Sequence, residues 1–150
     1  MTATVVGWRE WVRLPDLLPD SEPVKAKLDT GARTSAIHAW DIEEVERDGA
    51  RWVRFWLHPR QDDDEHVVQV EARLVEEREV RSSNGEIESR CVIATNLALG
   101  DEVWPIELTL ANRDEMGFRM LLGRTAMKRR VLVDPSASFR TGGGVSGPAR

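Results

Sequence analysis

The chain has little cysteine and no long apolar run, and each absence narrows its class. Its one cysteine, Cys91, cannot form a disulfide within the chain, which favours a reducing compartment. A membrane-spanning helix needs about eighteen consecutive apolar residues, and no segment of the chain is that long and apolar. Charged residues interrupt residues 1–13, so we expect no secretion signal there. These features predict a soluble, cytoplasmic protein without a membrane partner.

A surplus of positive charge is also missing. The formal net charge is -5, whereas proteins that bind nucleic acids need excess Lys and Arg to neutralise phosphates. We therefore expect no nucleic-acid partner. The 150 residues are 41% hydrophobic and 31% charged, which is ordinary for one globular domain. We predict a folded domain over residues 1–140 and a disordered, glycine-rich tail over residues 141–150.

Motifs for metal and nucleotide chemistry are absent as well. Zinc peptidases usually carry His-Glu-x-x-His or an equivalent helical spacing. None of the histidines lies three or four residues from another: they are His38, His58 and His66. His58 and His66 flank Asp62 and Asp64, a pattern that favours weak metal uptake by a loop over a catalytic site. Gly142-Gly143-Gly144 lacks the Lys-Ser/Thr of a phosphate-binding loop, so we predict no cofactor and no catalytic metal.

Helical periodicity is scarce, and alternation of apolar and polar residues dominates instead. Asp48-Gly49 and Asn84-Gly85 each separate two alternating segments and are favoured hairpin turns. The one helix that we expect covers residues 125–130, with Thr125 as a candidate N-cap. The pattern predicts an all-β fold, a closed β-barrel with one short C-terminal helix.

The most informative motif present is Asp29-Thr30-Gly31, which follows the alternating segment Val24–Leu28. Aspartic peptidases present their catalytic acid on a tight, glycine-assisted turn just past a strand. A second element, Met120–Arg124, contains two bulky apolar residues followed by glycine, which in such enzymes form the strand beside the Asp loop. The pair in this order is far more specific than either motif alone.

Hydrolysis by carboxylates requires two of them, and this chain has one Asp-Thr-Gly. Asp134-Pro135-Ser136 cannot be the second, because Pro replaces the hydroxyl residue and no Gly follows. Two chains on a two-fold axis would supply the pair, with one Asp29 from each. In that arrangement Thr30 would brace the turn across the dimer. Gly31 would let backbone approach the carboxylate closely.

These two motifs resemble those of the retropepsin group of aspartic peptidases. More narrowly, the chain resembles a bacterial retropepsin-like family labelled ATP-dependent zinc proteases. The match is carried by three stretches: Gly7–Trp11, Lys25–Ala39 and Met120–Phe139. The resemblance implies a β-barrel protomer, a homodimer and endopeptidase chemistry without a metal. Members are associated with ATP-grasp ligases that add glutamate to proteins, and one line removes such tails. A functional link to a ligase and a glutamylated substrate are thus implied.

The hairpin over residues 80–90 lies where a retropepsin carries its flap. Its polar tip would close over a bound peptide and exclude water. The predicted substrate-binding residues of this tip are Ser82, Ser83, Asn84, Gly85 and Glu86. An ordinary surface hairpin remains the alternative.

One residue departs from the retropepsin pattern. Retropepsins continue as Asp-Thr-Gly-Ala-Asp, and here Arg33 follows Ala32 in place of that second Asp. Its usual ion pair with the residue matched by Arg124 is therefore lost. Guanidinium groups favour carboxylates, so we predict that Ala32, Arg33 and Arg124 contact an acidic peptide. The alternative is that Arg33 pairs with a structural carboxylate such as Asp41 or Glu43.

Two other functions fit the same residues. A dimer of this fold could bind acidic tails without cleaving them, using Arg33, Arg124 and the basic run 128–130 as an anion groove. A zinc-dependent protease is less favoured, because the histidine spacing does not fit. Substitution of Asp29 separates catalysis from binding.

Overall fold

The structure is a computed structural model that describes residues 3–18, 23–60, 63, 65–81, 85–112 and 118–141. Strands dominate these residues, as the alternation predicted, and the one helix is a single turn. No described helix is long and apolar enough to cross a membrane. The elements are β1 (Thr4–Gly7), β2 (Arg9–Val12), β3 (Val24–Leu28), β4 (Ala36–His38), β5 (Trp40–Arg47), β6 (Ala50–Leu57), β7 (Val68–Arg81), β8 (Ile87–Leu99), β9 (Glu102–Ala111), β10 (Met120–Leu122), α1 (Arg124–Met127) and β11 (Val131–Asp134).

Nine strands form one sheet in the order β2-β3-β10-β4-β9-β8-β7-β6-β5, and β1 pairs with β11 in a second, parallel sheet. The predicted closed β-barrel is not confirmed. Among the described residues β2 and β5 pair on one side only, which leaves them as the two edges of the large sheet. The sheet does curl, because Arg13, just past β2, bridges to Ala98 on β8. That contact is a single bridge and does not extend into a paired strand.

The core lies on the inner face of this curled sheet. Burial alternates along the strands, for example in β3, where Val24, Ala26 and Leu28 are buried and the two lysines between them are half-buried. Phe55 and Leu122 are fully buried. Each large side chain removed from water in this way stabilises the fold by about 1.5–3 kcal/mol. This burial is what fixes the register of β3 against β10.

The predicted hairpin turn at Asp48-Gly49 is confirmed. Both residues adopt positive φ, 52° and 79°, between β5 and β6. These angles match the turn type whose twist suits two-residue hairpins. Gly85 likewise has a φ of 86°, whereas Asn84 lies outside the described residues.

The helix begins earlier and ends sooner than predicted. It covers Arg124–Met127, and its N-cap is Gly123 with no side-chain cap, so the assignment of Thr125 as N-cap is wrong. The reason is tertiary packing at Gly123, where a Cβ atom would lie 2.4 Å from the Thr34 carbonyl oxygen. Only glycine fits this approach, and the helix starts directly after it. The helix ends at its C-cap Lys128, whose ψ of 125° is no longer helical, and Arg129 follows with a φ of 65°.

Candidate active site

Main-chain hydrogen bonds on both sides hold Asp29 at the end of β3. The Leu28 amide donates to the Trp8 carbonyl at 2.8 Å, and the Asp29 amide donates to the Leu122 carbonyl at 2.8 Å. The two motifs singled out in the sequence are therefore in direct contact, since β3 and β10 pair in parallel. Asp29 is half-buried, directly after the buried side chain of Leu28. Its carboxylate is placed by the sheet rather than by a free loop.

The turn after Asp29 orients the carboxylate. The Gly31 amide donates to Asp29 Oδ1 at 2.9 Å, and the Ala32 amide donates to the Asp29 carbonyl at 3.1 Å. A Cβ atom on residue 31 would lie 3.2 Å from Oδ1, so glycine suits the close approach. Within the described residues Oδ2 accepts no hydrogen bond, which leaves one carboxylate oxygen available to a ligand.

A buried serine supports the late motif. Ser35 is 1% exposed, and its Oγ accepts a hydrogen bond from the Gly123 amide at 2.9 Å. The Ser35 carbonyl accepts from the Thr109 amide at 2.9 Å, which ties the same segment to β9. Sequence reasoning assigned no role to Ser35, although it lies inside the matched stretch Lys25–Ala39. A buried hydroxyl with a long-range partner leaves no local pattern.

The start of α1 is hydrogen-bonded to the Asp29 loop, which we define as residues 29–33. The Arg124 amide donates to the Ala32 carbonyl at 2.8 Å, and the Thr125 amide donates to the Arg33 carbonyl at 3.1 Å. Arg124 Nη1 also donates to the Thr30 carbonyl at 3.0 Å. The predicted neighbours Ala32, Arg33 and Arg124 thus lie together beside Asp29. Whether they contact substrate stays a prediction.

An open cleft of about 620 Å³ borders the Asp29 loop. Its floor is apolar, and three basic side chains stand around it. The lining residues, which define "the cleft" below, are Thr30, Arg33, Arg124, Thr125, Met127, Lys128, Val131, Leu132 and Val133. Such a surface suits a chain segment that carries both apolar and negatively charged groups.

The alternative partners predicted for Arg33 are not found. Within the described part of the chain, Arg33 forms no ion pair with Asp41 or Glu43. Glu43 instead lies 3.6 Å from Arg54 on the neighbouring strand. Arg33 is exposed at the cleft, and its guanidinium retains its donors for another anion.

The family follows from comparison with known proteins. Residues 5–142 match the RimB-like family, described as retropepsin-like aspartic endopeptidase RimB. The chain belongs to this family. The resemblance inferred from the two motifs is therefore confirmed over nearly the whole chain.

Curated relatives carry a different name. The chain is 52% identical over 139 residues to a probable alpha-L-glutamate ligase of Parasynechococcus marenigrum (strain WH8102). It is 49% identical over 138 residues to a probable alpha-L-glutamate ligase of Shewanella halifaxensis (strain HAW-EB4). Each match covers 92% of this chain but only 29% and 30% of these relatives. The chain thus spans less than a third of their length, and their name describes longer proteins.

A solved structure shares the fold. A Legionella pneumophila protein whose function is unknown superposes with a TM-score of 0.78 at 29% identity. The match covers 93% of this chain and 99% of that chain. The curled sheet described above is therefore the fold of an experimentally determined relative.

The predicted flap of this RimB-like chain is the end of a long hairpin. β7 and β8 pair from Arg73–Ala94 outward to Arg81–Ile87. Ser82, Ser83 and Asn84 lie outside the described residues. Gly85 and Glu86 are exposed at the hairpin end, and neither borders the cleft. Their predicted contact with substrate would require the hairpin to close.

Two of the three histidines of the RimB-like chain, His38 and His58, form a stacked cluster with Trp40. His58 stacks on Trp40 at 4.2 Å and on His38 at 5.6 Å between ring centroids. The described residues contain no group of three or more His, Cys, Asp or Glu able to hold a metal ion. Asp62 and Asp64 of the predicted metal-binding loop lie outside them.

Cys91 lies half-buried against the core. Burial raises the pKa of its thiol, and the nearby carboxylates of Glu77 and Glu44 raise it further. A thiol held in its protonated form is a poor nucleophile. This favours the interpretation of Cys91 as a small apolar side chain.

Proposed function

We propose that this chain is an aspartic peptidase that acts as a homodimer, with one Asp29 from each chain. The observation that carries the proposal is the placement of Asp29. Its amide donates a hydrogen bond to the Leu122 carbonyl, and its Oδ1 accepts one from the Gly31 amide. Its Oδ2 accepts no hydrogen bond from the described residues. This is a rigid carboxylate with one oxygen left for chemistry.

In the proposed reaction the two Asp29 carboxyl groups share one proton, because two like charges at short distance are unfavourable. The ionised group accepts a proton from water, and the oxygen of that water attacks the scissile carbonyl carbon. The protonated group donates a hydrogen bond to the carbonyl oxygen. Collapse of the resulting tetrahedral intermediate breaks the C–N bond, and the carboxyl group that accepted the proton from water passes it to the leaving amine. Thr30 braces the turns at the dimer axis, and closure of the hairpin tip (residues 82–86) excludes bulk water.

An exposed apolar surface supports the dimer. Val5 on β1 and Leu132 on β11 are register partners, and they are 43% and 61% exposed. Leu132 also lines the cleft beside the Asp29 loop. A second copy that covers this two-stranded sheet would remove both side chains from water and approach the Asp29 loop.

Acidic peptides, glutamate-tailed proteins above all, are the substrates that we propose. Arg33 has no carboxylate partner in the described residues, and Arg124 lies at the same cleft. The curated relatives are named probable alpha-L-glutamate ligases. We therefore propose that this chain acts on the product of such a ligase, which is the functional link that the resemblance implies.

The test compares the wild type with Asp29→Asn and Asp48→Asn on a glutamate-tailed protein, with tail length followed by mass spectrometry. Asp48 is a matched control, since it lies in an exposed hairpin turn where Asn is tolerated. Asp29→Asn is expected to reduce hydrolysis at least about a thousandfold. Asp48→Asn is expected to leave it unchanged. Full activity of Asp29→Asn would rule out the proposal.

Mixed dimers test whether two Asp29 residues act together. Wild type and Asp29→Asn are mixed in equal amounts under conditions that exchange subunits. If only dimers with both aspartates act, about a quarter of the wild-type activity per protein remains. Independent chains would retain half. A mixture with Asp48→Asn instead controls for the exchange itself.

Binding of acidic tails without cleavage is the second candidate, and it is favoured by Arg33, which forms no ion pair with any described residue. Calorimetric titration of Asp29→Asn with the tailed protein measures binding separately from turnover. Wild-type binding without any cleavage, unchanged in Asp29→Asn, would favour this second function over the first.

A further inference from the structure

A smaller cavity lies between β7, β9, the start of α1 and the segment that follows the Asp29 loop. Its volume is about 350 Å³, and it is lined by Arg33, Thr34, Arg78, Glu107 and Thr125. Arg33 and Thr125 also line the cleft. A peptide in the cleft can therefore place a side chain in the smaller cavity.

A β-bulge directs Arg78 toward this cavity. Leu74 faces the core opposite Ile93, and a register shift then places Glu76 opposite Val92. Directly opposed residues share a face of the sheet, and neighbouring residues do not, so the bulge moves Glu76 and Arg78 off the core face. Without the extra residue the alternation would point Arg78 into the core.

Arg78 is held in place by two glutamates, one at hydrogen-bond distance and one farther away. Its Nη2 donates to Glu76 Oε2 at 2.8 Å and lies 3.5 Å from Glu107 Oε1. The hydrogen bond to Glu76 raises the pKa of Arg78 above its ordinary value, so the guanidinium stays charged. Glu107 is 54% exposed, and its contact with Arg78 is long for a charge-assisted hydrogen bond.

The cavity leaves one cation without a carboxylate. Arg78 already has two glutamate partners, Glu76 and Glu107, of which Glu107 lines the cavity. The backbone of Arg33 is fixed by the hydrogen bond from the Thr125 amide, while its side chain has no ion pair in the described residues. A peptide carboxylate that reaches Arg33 and replaces Glu107 at Arg78 would therefore give Arg33 a partner and keep Arg78 paired.

We infer that the smaller cavity is a subsite for one side-chain carboxylate of a peptide, bound between Arg33 and Arg78. In the absence of that peptide, the Glu107 carboxylate lies near the Arg78 guanidinium, so it would compete with the peptide carboxylate for Arg78. Arg78 is thus a specificity residue, and Glu107 weakens binding of the acidic group. The inference rests on the proposed function, because it assigns a subsite to the cleft of that peptidase.

The test measures binding of tetraglutamate and tetraglutamine peptides by calorimetry, with Asp29→Asn as the parent so that no cleavage interferes. The two peptides differ only in charge and are close in shape. Arg78→Gln is expected to weaken tetraglutamate binding about tenfold or more, with tetraglutamine unchanged. Glu107→Gln is expected to tighten tetraglutamate binding several-fold, because the competitor is removed.

Arg51→Gln is the matched control. Arg51 also contacts two glutamates, Glu44 and Glu77, but lines neither the cleft nor the smaller cavity. It is expected to leave both affinities unchanged. Arg78→Lys, which keeps the charge but not the planar fork, is expected to fall between the parent and Arg78→Gln. If Arg78→Gln does not fold, Arg78→Lys replaces it as the test variant.

If Arg78→Gln weakened the binding of both peptides equally, or of neither, the subsite would be overturned. Weaker tetraglutamate binding in Glu107→Gln would overturn the competing role of Glu107. A parent without preference for tetraglutamate would also overturn the subsite. None of these results depends on turnover, so failure of the peptidase proposal is recognised separately, by a wild type that cleaves nothing.

Discussion

Arginines on β5 and β6, in the part of the large sheet that we call the outer sheet (β5–β7), differ in their ion pairs from the arginines of the cleft, although both sets belong to one small domain. On β5–β7 Arg47 and Arg54 contact Glu71, and Arg51 contacts Glu44. At the cleft Arg33 has no ion pair in the described residues, and Arg124 donates to a carbonyl instead.

Sheet register explains the paired set. Arg54 lies directly opposite Glu43 on β5 and Glu71 on β7, and opposed side chains on one face come within reach. Arg33 and Arg124 lie on a loop and at a helix start, outside the strand ladder, and neither forms an ion pair with the described residues. Both guanidinium groups therefore keep donors for a ligand.

Among the substitutions compared, that of Gly123, directly before Arg124, should reduce stability and activity most. Gly123→Ala would place a Cβ atom 2.4 Å from the Thr34 carbonyl oxygen, in backbone that cannot yield cheaply. We expect the free energy of unfolding to fall by about 2–3 kcal/mol, with loss of activity because Arg124 and the Asp29 loop shift. Urea denaturation and peptide hydrolysis measure the two effects.

Gly49→Ala is the control for this substitution. Gly49 lies in the outer-sheet hairpin with a φ of 79° and no atom within 4 Å of an added Cβ, so the cost is backbone strain alone. We expect a loss of about 1 kcal/mol and unchanged hydrolysis. If Gly123→Ala were no worse than Gly49→Ala, the close packing under the cleft would be contradicted.

Substitution of a single arginine in each region separates the effect on substrate preference from the effect on stability. Arg33→Gln is expected to lower the ratio of acidic to neutral peptide hydrolysis about tenfold, since a charge-assisted contact is lost. Its thermal midpoint should not change, because no ion pair is broken. Arg54→Gln is expected to do the reverse, with a slightly lower midpoint and an unchanged ratio. Equal effects of the two variants on the ratio would remove the distinction between the regions.

Much of this division was readable from the sequence. Alternation and Asp48-Gly49 located the paired strands of the outer sheet, because period and turn chemistry are local. The contact of Asp29 with Leu122 followed from the two motifs taken together. The departure at Arg33 suggested a cation that binds an acidic peptide, and that role stays a prediction.

The features that the sequence did not predict depend on strand register and on contacts with backbone far away in the chain. The start of α1 is set by Gly123 against Thr34, and the bulge after Leu74 turns Arg78 to the cavity. Neither leaves a periodic signal, since each results from packing between segments far apart in the chain. Closure of the sheet into a barrel was expected from the alternation and from the family resemblance, but neither specifies how the edge strands pair, which is what decides closure.

The smallest effect concerns the pH dependence of the paired set. Hydrogen bonds from Arg47 and then Arg54 lower the pKa of Glu71 below its ordinary value. A carboxyl group with a lowered folded-state pKa stabilises the fold above its unfolded-state pKa, and this stabilisation is lost as the pH falls through the folded-state pKa. Glu71→Gln should therefore lower the thermal midpoint slightly at neutral pH and have less effect in acid. Added salt should shrink the difference, because the pair is exposed. A midpoint difference that stayed constant from neutral to strongly acidic pH would show that these arginines gain nothing from their glutamate, and the contrast with Arg33 would then reflect geometry alone.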